Sequence, residues 1–223
     1  MAEDDHKRAK FMIETEKATL QLKSITQQLL TFSKGGAPIT KPVEFGALFS
    51  DSVNFSMHGS RHRCEIEIEG DLWSVSVDEG QINQVINNLI LNAQQAMPSY
   101  GLITASVNNF MLKPDNQLAL QPGPYLRVSI SDQGVGIPED ILQQIFDPFF
   151  TTKSTGNGLG LATSFSILQK HQGVLTVSSQ LGEGSRFEFY LPATVGGQPV
   201  HSKTEEATPT WGEGKVLVMD DDK

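Results

Sequence analysis

Asp132-Gln133-Gly134-Val135-Gly136 is the stretch that decides the fold, because it carries a predicted strand into a tight turn with a carboxylate at the junction. The two glycines permit that turn and let the backbone approach a flat ligand closely. A buried carboxylate only accepts hydrogen bonds, so Asp132 can receive the exocyclic amine of adenine but would oppose the carbonyl oxygen of guanine. An ordinary Asp-x-Gly turn is the alternative when the stretch is considered alone.

A helix with two amide side chains precedes that strand. Asp78 is its predicted N-cap, with Gln81 three residues later, and Pro98 ends the run. Asn88 and Asn92 are four residues apart, so their side chains lie one turn apart on the polar face. An amide oxygen can hold Mg²⁺ beside a triphosphate without adding negative charge. Two solvated amides are an equally open interpretation of the helix alone.

An aromatic segment follows the turn in irregular chain. Phe146-Asp147-Pro148-Phe149-Phe150 provides three rings, which either form a lid over a bound nucleotide or pin the loop into the core. The adjacent Thr151-Thr152-Lys153 offers two hydroxyls and one ammonium to phosphate oxygens.

A glycine-rich segment, Gly156-Asn157-Gly158-Leu159-Gly160, comes next and leads into a helix predicted over residues 159–171. Its backbone N–H groups and the positive end of the helix dipole would face a phosphate. The segment is neither a Walker A loop nor a Rossmann fingerprint, since no Gly-Lys-Ser/Thr follows and no strand leads directly into the glycines. A flexible linker is the alternative.

The remaining pattern alternates strands with helices and closes antiparallel. A short helix is predicted at 44–57, and the helix after Asp78 has a continuous apolar face. Strands are predicted at 64–69, 73–77, 102–110, 125–131, 174–179 and 186–191. This order favours an α+β fold, a two-layer α/β sandwich in which helices cover one side of a mixed sheet.

The two ends of the chain differ from this central part. Residues 6–34 contain no Pro or Gly and carry an apolar heptad stripe, which predicts a long helix that packs on another helix of its own chain or of a second subunit. A helix lying on the following domain is the alternative. Gly35-Gly36-Ala37-Pro38 is expected to end that helix. Residues 194–214 have the composition of a linker, and residues 215–219 begin a new apolar run.

Bulk properties narrow the class of protein. The chain has 223 residues, 38% of them hydrophobic, and a net charge of −9, which argues against a general nucleic-acid or anionic-membrane binder. The single Cys64 allows no internal disulfide and fits a reducing compartment, so we expect a cytoplasmic location, which is compatible with a membrane-associated parent protein. No stretch approaches the roughly 20 apolar residues that cross a bilayer.

In their order along the chain, four segments resemble the N, G1, F and G2 boxes of sensor histidine kinases. They are Asn88-Leu89-Ile90-Leu91-Asn92-Ala93, Asp132-Gln133-Gly134-Val135-Gly136-Ile137-Pro138, Phe146-Asp147-Pro148-Phe149-Phe150-Thr151-Thr152-Lys153 and Gly156-Asn157-Gly158-Leu159-Gly160-Leu161. The resemblance spans about residues 44–193. It implies the Bergerat ATP-binding fold of the gyrase, heat-shock ATPase, histidine kinase and MutL superfamily, with a lid between the G1 and G2 boxes.

The resemblance also implies roles for individual residues. Asn92 is the principal Mg²⁺ ligand with Asn88 assisting, Asp132 reads adenine, and Lys153 acts with the G2 glycines on the phosphates, so the expected catalytic residues are Asn88, Asn92 and Lys153. Where many family members have a basic residue one turn past the second Asn, this chain has Gln95, which leaves Lys153 more of the charge neutralisation. The implied nucleotide contacts are Asn92, Gln95, Asp132, Gly134, Gly136, Ile137, Phe150, Thr151, Thr152, Lys153, Gly156, Gly158, Leu159, Gly160 and Leu161.

The residue at position 88 separates the activities that this fold supports. ATPases of the same fold have a Glu there to activate water, whereas an amide is not a useful general base. The resemblance therefore implies transfer of the γ-phosphoryl group of Mg-ATP to a His, for relay to an Asp of a response regulator. A nucleotide-gated binding module without transfer and a hydrolytic ATPase are the alternatives.

The resemblance further implies a division of the chain. Residues 1–36 look like the second helix of a dimerisation and phosphoacceptor hairpin, residues 37–193 like the catalytic domain, residues 194–214 like a linker, and residues 215–223 like the truncated start of a receiver domain of a hybrid kinase. The implied partners are ATP, the hairpin of the same parent, a receiver domain and a second subunit in the parent, with no nucleic acid. The acceptor should be a His followed by an acidic residue, and it is expected outside this chain because none of the five histidines has that setting. They are His6, His58, His62, His171 and His201.

Overall fold

The computed structural model describes residues 37–118, 120–153 and 156–196. The helix predicted over residues 6–34, most of the predicted linker and the segment from residue 215 onward lie outside these residues. Three α-helices are described: α1 at Phe45–Met57, α2 at Glu79–Ala96 and α3 at Gly160–Lys170. A 3-10 turn at Glu139–Ile141 lies between the G1 and F boxes.

Seven strands accompany these helices. They are β1 Lys41–Val43, β2 Arg63–Ile68, β3 Val75–Val77, β4 Leu102–Leu112, β5 Gly123–Asp132, β6 Val174–Gln180 and β7 Gly184–Pro192. Five of them form one sheet in the order β2-β4-β5-β7-β6, in which β2 and β4 are parallel and the other pairs are antiparallel. Strands β1 and β3 form a separate antiparallel pair. The mixed sheet predicted from the strand order is therefore present.

The core lies between this sheet and the helices. Helix α2 packs between α1 and α3 and contacts β4, β5 and β7. Its predicted apolar face is buried, because residues three and four apart share one side of a helix; the buried apolar residues are Ile82, Val85, Ile86, Leu89, Ile90 and Ala93. The opposite face of the sheet is more polar; there Arg127 on β5 donates to the Oδ1 of Asn108 on β4 at 3.1 Å. This is the α+β, two-layer arrangement predicted above.

Strand β1 is the element that the sequence pattern missed. It has three residues, and only Val43 is buried, so it carries no alternation that a pattern could detect. Its partner β3 is shorter than predicted, since Trp73 donates its N–H to the Oδ1 of Asn109 at 2.8 Å and Ser74 pairs with Thr194. Two segments are thus hydrogen-bonded to the residues just before α2: the segment that begins at residue 37 and the segment at residue 194.

Asp78 holds the junction between β3 and α2. Its carboxylate accepts the N–H of Gln81 at 3.1 Å, which is the predicted N-cap bond, and the N–H of Ile39 at 3.2 Å. Its own N–H donates to Nε2 of His171 at 3.0 Å. Because that nitrogen accepts, Nδ1 of His171 carries the proton and donates to the carbonyl of Ile167 at 2.8 Å. The first turn of α2 is therefore fixed to the end of α3.

Candidate nucleotide site

Asn88 lies at the contact between α2 and the start of α3. Its side chain is 8% exposed, and its Nδ2 donates to the carbonyl of Gly160 at 3.1 Å and to Oγ of Ser164 at 3.2 Å. Ser164 in turn donates to the same carbonyl at 3.0 Å. The amide nitrogen is thus occupied by α3, and Oδ1 is the atom through which Asn88 can contact a ligand. Asn88 is not a solvated surface amide.

The G1 turn is fixed to the far end of α2. The N–H of Val135 donates to the carbonyl of Ala96 at 3.1 Å, which satisfies one of the free carbonyls at the helix terminus. A side chain at Gly134 would come within 2.6 Å of that carbonyl, and Gly136 has φ +71° with the backbone of Gln180 against it. Only glycine fits these two positions, so the pattern Gly-x-Gly follows from the close approach of three backbone segments.

Asp132 ends β5 at this turn and is 6% exposed. Its Oδ1 accepts the N–H of Gly134 at 2.8 Å. Burial raises the pKa of the Asp132 carboxyl, while the N–H groups of Gly134 and Ser185 and the charge of Lys153 lower it. A carboxylate held by backbone donors in a buried position is a fixed acceptor, which is the chemistry that recognition of an adenine amine requires.

Lys153 connects the F box with α2. Its Nζ donates to Oδ1 of Asn92 at 3.2 Å and to Oε1 of Gln95 at 2.8 Å. Burial lowers the pKa of this ammonium, and the carboxylate of Asp132 raises it. Residues separated by about sixty positions in the sequence therefore bring a cation, two amide oxygens and a carboxylate to one place.

The three rings of the F box differ in burial, and two of them have the pinning role. Phe146 packs on Phe165 of α3 with ring centroids 5.6 Å apart, and Phe150 also packs against the core. Phe149 is 66% exposed and has φ +68°, an unusual conformation for a large side chain. Its N–H donates to the carbonyl of Gly158 at 3.0 Å. The rings of Phe146 and Phe150 pin the segment, whereas Phe149 faces solvent.

The G2 loop crosses the F box at this bond. Gly158 has φ +66°, and a side chain there would come within 2.6 Å of the carbonyl oxygens of Phe149 and Phe150. Helix α3 begins at Gly160, and its N-cap residue Leu159 is buried and makes no side-chain cap bond. The N–H of Leu159 donates to Oδ1 of Asn157 at 3.4 Å, so the loop itself supplies a side-chain acceptor just before α3.

Other predicted contact residues have local roles in the described structure. Thr151 accepts the N–H of Lys153 through Oγ1 at 3.1 Å, and Thr152 is exposed beside it. The N–H of Ile137 donates to Oγ of Ser179 at 2.8 Å. Leu161 is partly buried and packs on the core. Their assignment as nucleotide contacts stays a prediction.

Two residues that support the site were absent from the sequence prediction. Ser164 orients Asn88, and His171 connects α3 to the N-cap of α2. Ser164 follows Gly160 by four residues, one helical turn, which is the only signal that would have related it to the site. Nothing in the sequence around His171 indicates its bond to Asp78, ninety-three positions away.

The donor set fits a magnesium ion. Oδ1 of Asn92 already accepts from an ammonium cation, and Asn88 has its Oδ1 available next to the backbone of Gly160. Within the described ranges no group of three or more His, Cys, Asp or Glu side chains is placed to hold a metal. Few protein oxygens, supplemented by phosphate and water, are typical of Mg²⁺ sites with nucleotides.

Comparison with known proteins identifies the family. The model of the histidine kinase-, DNA gyrase B- and HSP90-like ATPase family matches residues 77–195. The chain is 33% identical to sensor kinase CckA of Brucella abortus over 89% of its length and 23% of that protein, and 32% identical to sensor histidine kinase ZraS of Escherichia coli over 78% of its length and 36% of that protein. It therefore spans about a quarter to a third of the length of these curated relatives.

Solved structures give the same result for the fold. The catalytic domain of histidine kinase ThkA superposes with a TM-score of 0.56 and 26% identity, over 70% of this chain and 98% of that domain. The mycobacterial sensor histidine kinase MprB gives a TM-score of 0.58 at 24% identity, again over 70% of this chain and 98% of that one. No helix in the part of the chain that the structure describes is long and apolar enough to span a membrane. With the family model covering more than half of the chain, the protein belongs to the histidine kinase-, DNA gyrase B- and HSP90-like ATPases, as an ATP-binding domain of the histidine kinase type.

Proposed function

We propose that this chain is the catalytic part of a sensor histidine kinase, which transfers the γ-phosphoryl group of Mg-ATP to a histidine on an acceptor hairpin for relay to a response-regulator aspartate. One observation supports this most directly. The G1, F and G2 boxes all contact helix α2, which carries the N box: Gly160 contacts Asn88, Lys153 contacts Asn92, and Val135 contacts Ala96 one turn past Asn92. Four unrelated segments would not be expected to converge on the end of one helix.

The nucleotide would be bound at its adenine ring and at its phosphates. Asp132 accepts the exocyclic amine of adenine, and the N–H groups at the start of α3 bind phosphate oxygens, where the helix dipole favours negative charge. Lys153 adds the one ammonium of the F box. Recognition by a fixed acceptor makes the site selective for adenine over guanine.

Mg²⁺ would be held by Oδ1 of Asn92 with help from Asn88, beside the phosphates. When bound, the ion would supply charge neutralisation to the phosphoryl group. Both amides are oriented by the protein before any ligand arrives, Asn88 by Gly160 and Ser164 and Asn92 by Lys153. Positioning and charge neutralisation are the main contributions that phosphoryl transfer requires of a protein.

Transfer to a side chain is favoured over hydrolysis by the surroundings of Asn88. A water-activating carboxylate at this position would lie against the carbonyl of Gly160, which accepts the amide N–H in the observed structure. The site is therefore built for an amide, which has no useful basicity toward water.

The acceptor histidine is proposed to lie outside this chain. His171 is 7% exposed, and both of its ring nitrogens are hydrogen-bonded, so it is a structural residue. In the same proposal residues 1–36 supply the second hairpin helix, residues 194–214 a linker and residues 215–223 the start of a receiver domain, in a cytoplasmic part of a dimeric hybrid parent.

The test is to mix the chain with radiolabelled ATP, Mg²⁺ and a separately supplied acceptor hairpin. The kinase proposal expects acid-labile label on the hairpin, with Asn92→Ala as the variant that abolishes it. A binding module would bind ATP and give no label, and a hydrolytic ATPase would release phosphate steadily without the hairpin. Strong acid-labile label on the chain alone would contradict the proposed position of the acceptor and make His6 a candidate.

A further inference from the structure

The contact between Lys153 and α2 places an ammonium group beside Asn92, the proposed metal ligand. Nζ of Lys153 donates to Oδ1 of Asn92 at 3.2 Å and to Oε1 of Gln95 at 2.8 Å. Asn92 and Gln95 are three residues apart, so both amide oxygens lie on the same side of α2. The shorter of the two bonds is to Gln95, the residue that the family resemblance marks as unusual.

We propose that Gln95 is a positioning residue that holds the ammonium of Lys153 against Asn92, so that Lys153 serves as the resident cation of the site until Mg²⁺ takes the Asn92 oxygen. This inference rests on the proposed function. In this inference Gln95 acts through Lys153, whereas the sequence led us to expect a direct contact between Gln95 and the nucleotide.

The chemistry of the two amides supports this assignment. An ammonium has donors only, and the oxygens of Asn92 and Gln95 supply two acceptors for it, while the nearby carboxylate of Asp132 attracts its charge. A second cation on the Asn92 oxygen would be repelled by the ammonium at close range. Lys153 and Mg²⁺ are therefore alternative partners of that oxygen.

The neutral side chain at position 95 is required for this arrangement. A basic residue there would repel Lys153 and leave its ammonium without the shorter of its two bonds. This chain therefore has no basic residue one turn past Asn92. Lys153 of the F box supplies the cation instead, from across the site.

The consequence concerns nucleotide bound without metal. In that state Lys153 remains the cation nearest to Asn92, and its position depends on Gln95, so loss of the Gln95 acceptor should weaken binding. When Mg²⁺ is present, the ion occupies Asn92 and neutralises the phosphates, and Gln95 should matter little.

The test is calorimetric titration of the full chain with ADP, once in Mg²⁺ and once in a metal chelator. Gln95→Leu should lower the metal-free affinity about tenfold, the effect of one charge-assisted hydrogen bond, and should leave the affinity in Mg²⁺ unchanged. Lys153→Met should lower the metal-free affinity as well, and Gln95→Leu should then add nothing in the Lys153→Met background. Asn87→Leu, at an exposed amide on the same helix, is the matched control and should behave like the parent chain.

The outcomes separate this inference from the proposed function. An equal loss in both buffers that persists in the Lys153→Met background means that Gln95 contacts the nucleotide directly, and the inference is wrong. If Gln95→Leu loses no ADP affinity in either buffer, the inference is also wrong. If the parent chain bound ADP in neither buffer, the proposed function would fall together with the inference.

Discussion

At the scale of single residues, the site depends on polar side chains whose orientation is fixed by hydrogen bonds before a ligand binds. Asp132 accepts from the backbone of Gly134, and Asn88 donates to Gly160 and Ser164. The bonds of Asn88 use its Nδ2 and leave its Oδ1 for the ligand. Because a buried polar group without a partner costs free energy, the same bonds stabilise the fold.

Asp132 gives a prediction about pH. Burial raises its pKa above the ordinary 3.8, so a protonated carboxyl, which no longer presents two acceptors, appears at a higher pH than for an exposed aspartate. ATP affinity should therefore fall as the pH is lowered through this raised pKa. The contribution of Asp132 to folding has the opposite sign: it is fully present below the unfolded-state pKa and is lost as the pH rises through the folded-state pKa.

The measurement is calorimetric ATP affinity over a range of pH, for the parent chain and for Asp132→Asn. The variant places a donor in the acceptor site, so it should bind ATP about tenfold to a hundredfold more weakly and should lose this pH dependence. Equal affinity of the two proteins at neutral pH would remove Asp132 from adenine recognition.

Asn88 gives a prediction about stability. Asn88→Asp replaces the donating Nδ2 by an oxygen that faces the carbonyl of Gly160, so two acceptors oppose each other in a buried place. The free energy of unfolding should fall by about 2 kcal/mol. Asn87→Asp, one residue earlier and exposed, is the control and should change it by less than about 0.5 kcal/mol. Similar urea midpoints for the two variants would contradict the proposed contact.

At the scale of elements, the site is made by close crossings of backbone, and glycines occur where the segments cross. The G2 loop passes the F box at Gly158, and the G1 turn passes β6 at Gly136. Both glycines also have positive φ, which disfavours any other residue. The glycine pattern that identified the boxes is therefore a requirement of packing as well as of ligand approach.

Gly158→Ala tests the crossing. The added methyl group would overlap the backbone of Phe149, so we expect a loss of about 2 to 4 kcal/mol in stability, from strain and displacement together, and weaker ATP binding. Gly182→Ala is the matched control, because Gly182 also has positive φ (+85°) but has no atom within 4 Å of the added group. The Gly182→Ala variant should lose about 1 kcal/mol of stability and keep its ATP affinity. Thermal unfolding measures the stability of the two variants, and calorimetry measures their ATP affinity. Equal losses in the two variants would show that the backbone segments do not pack closely at Gly158.

At the scale of the whole molecule, the incoming and outgoing chains meet next to α2. Ile39 is bonded to the N-cap residue Asp78, and Thr194 pairs with Ser74 just before β3. Within the residues that the structure describes, the hydrophobic core extends from residue 43 to residue 193. The described part thus closes on itself around the helix that carries the amides.

We therefore expect a chain of residues 37–196 to fold and to bind ATP with the affinity of the full chain, since it keeps every core side chain that the structure describes. Chemical denaturation should show one cooperative transition at the same midpoint as the corresponding transition of the full chain. Loss of ATP binding on truncation would mean that residues outside 37–196 contribute to the site.

The elements that could be predicted from the sequence are those with strong periodicity or with a specific turn. Helix α2, its Asp78 cap and the hairpin of β6 and β7 follow from local spacing, which local hydrogen bonds and burial enforce. Strand β1 could not be predicted, because three residues with one buried side chain have no pattern of their own. It forms because β3 offers an unpaired edge.

The order and spacing of the four boxes were sufficient, by themselves, to determine the mixed α+β architecture, the family and the candidate ligand chemistry, because each box needs specific backbone conformations and donor types that residue identity encodes. Only the tertiary structure decided that Asn88 is held by Ser164, that His171 fixes α3 to the start of α2, and that Lys153 lies between Asn92 and Gln95. These contacts join residues 58 to 93 positions apart, and such pairings follow from how the whole chain packs.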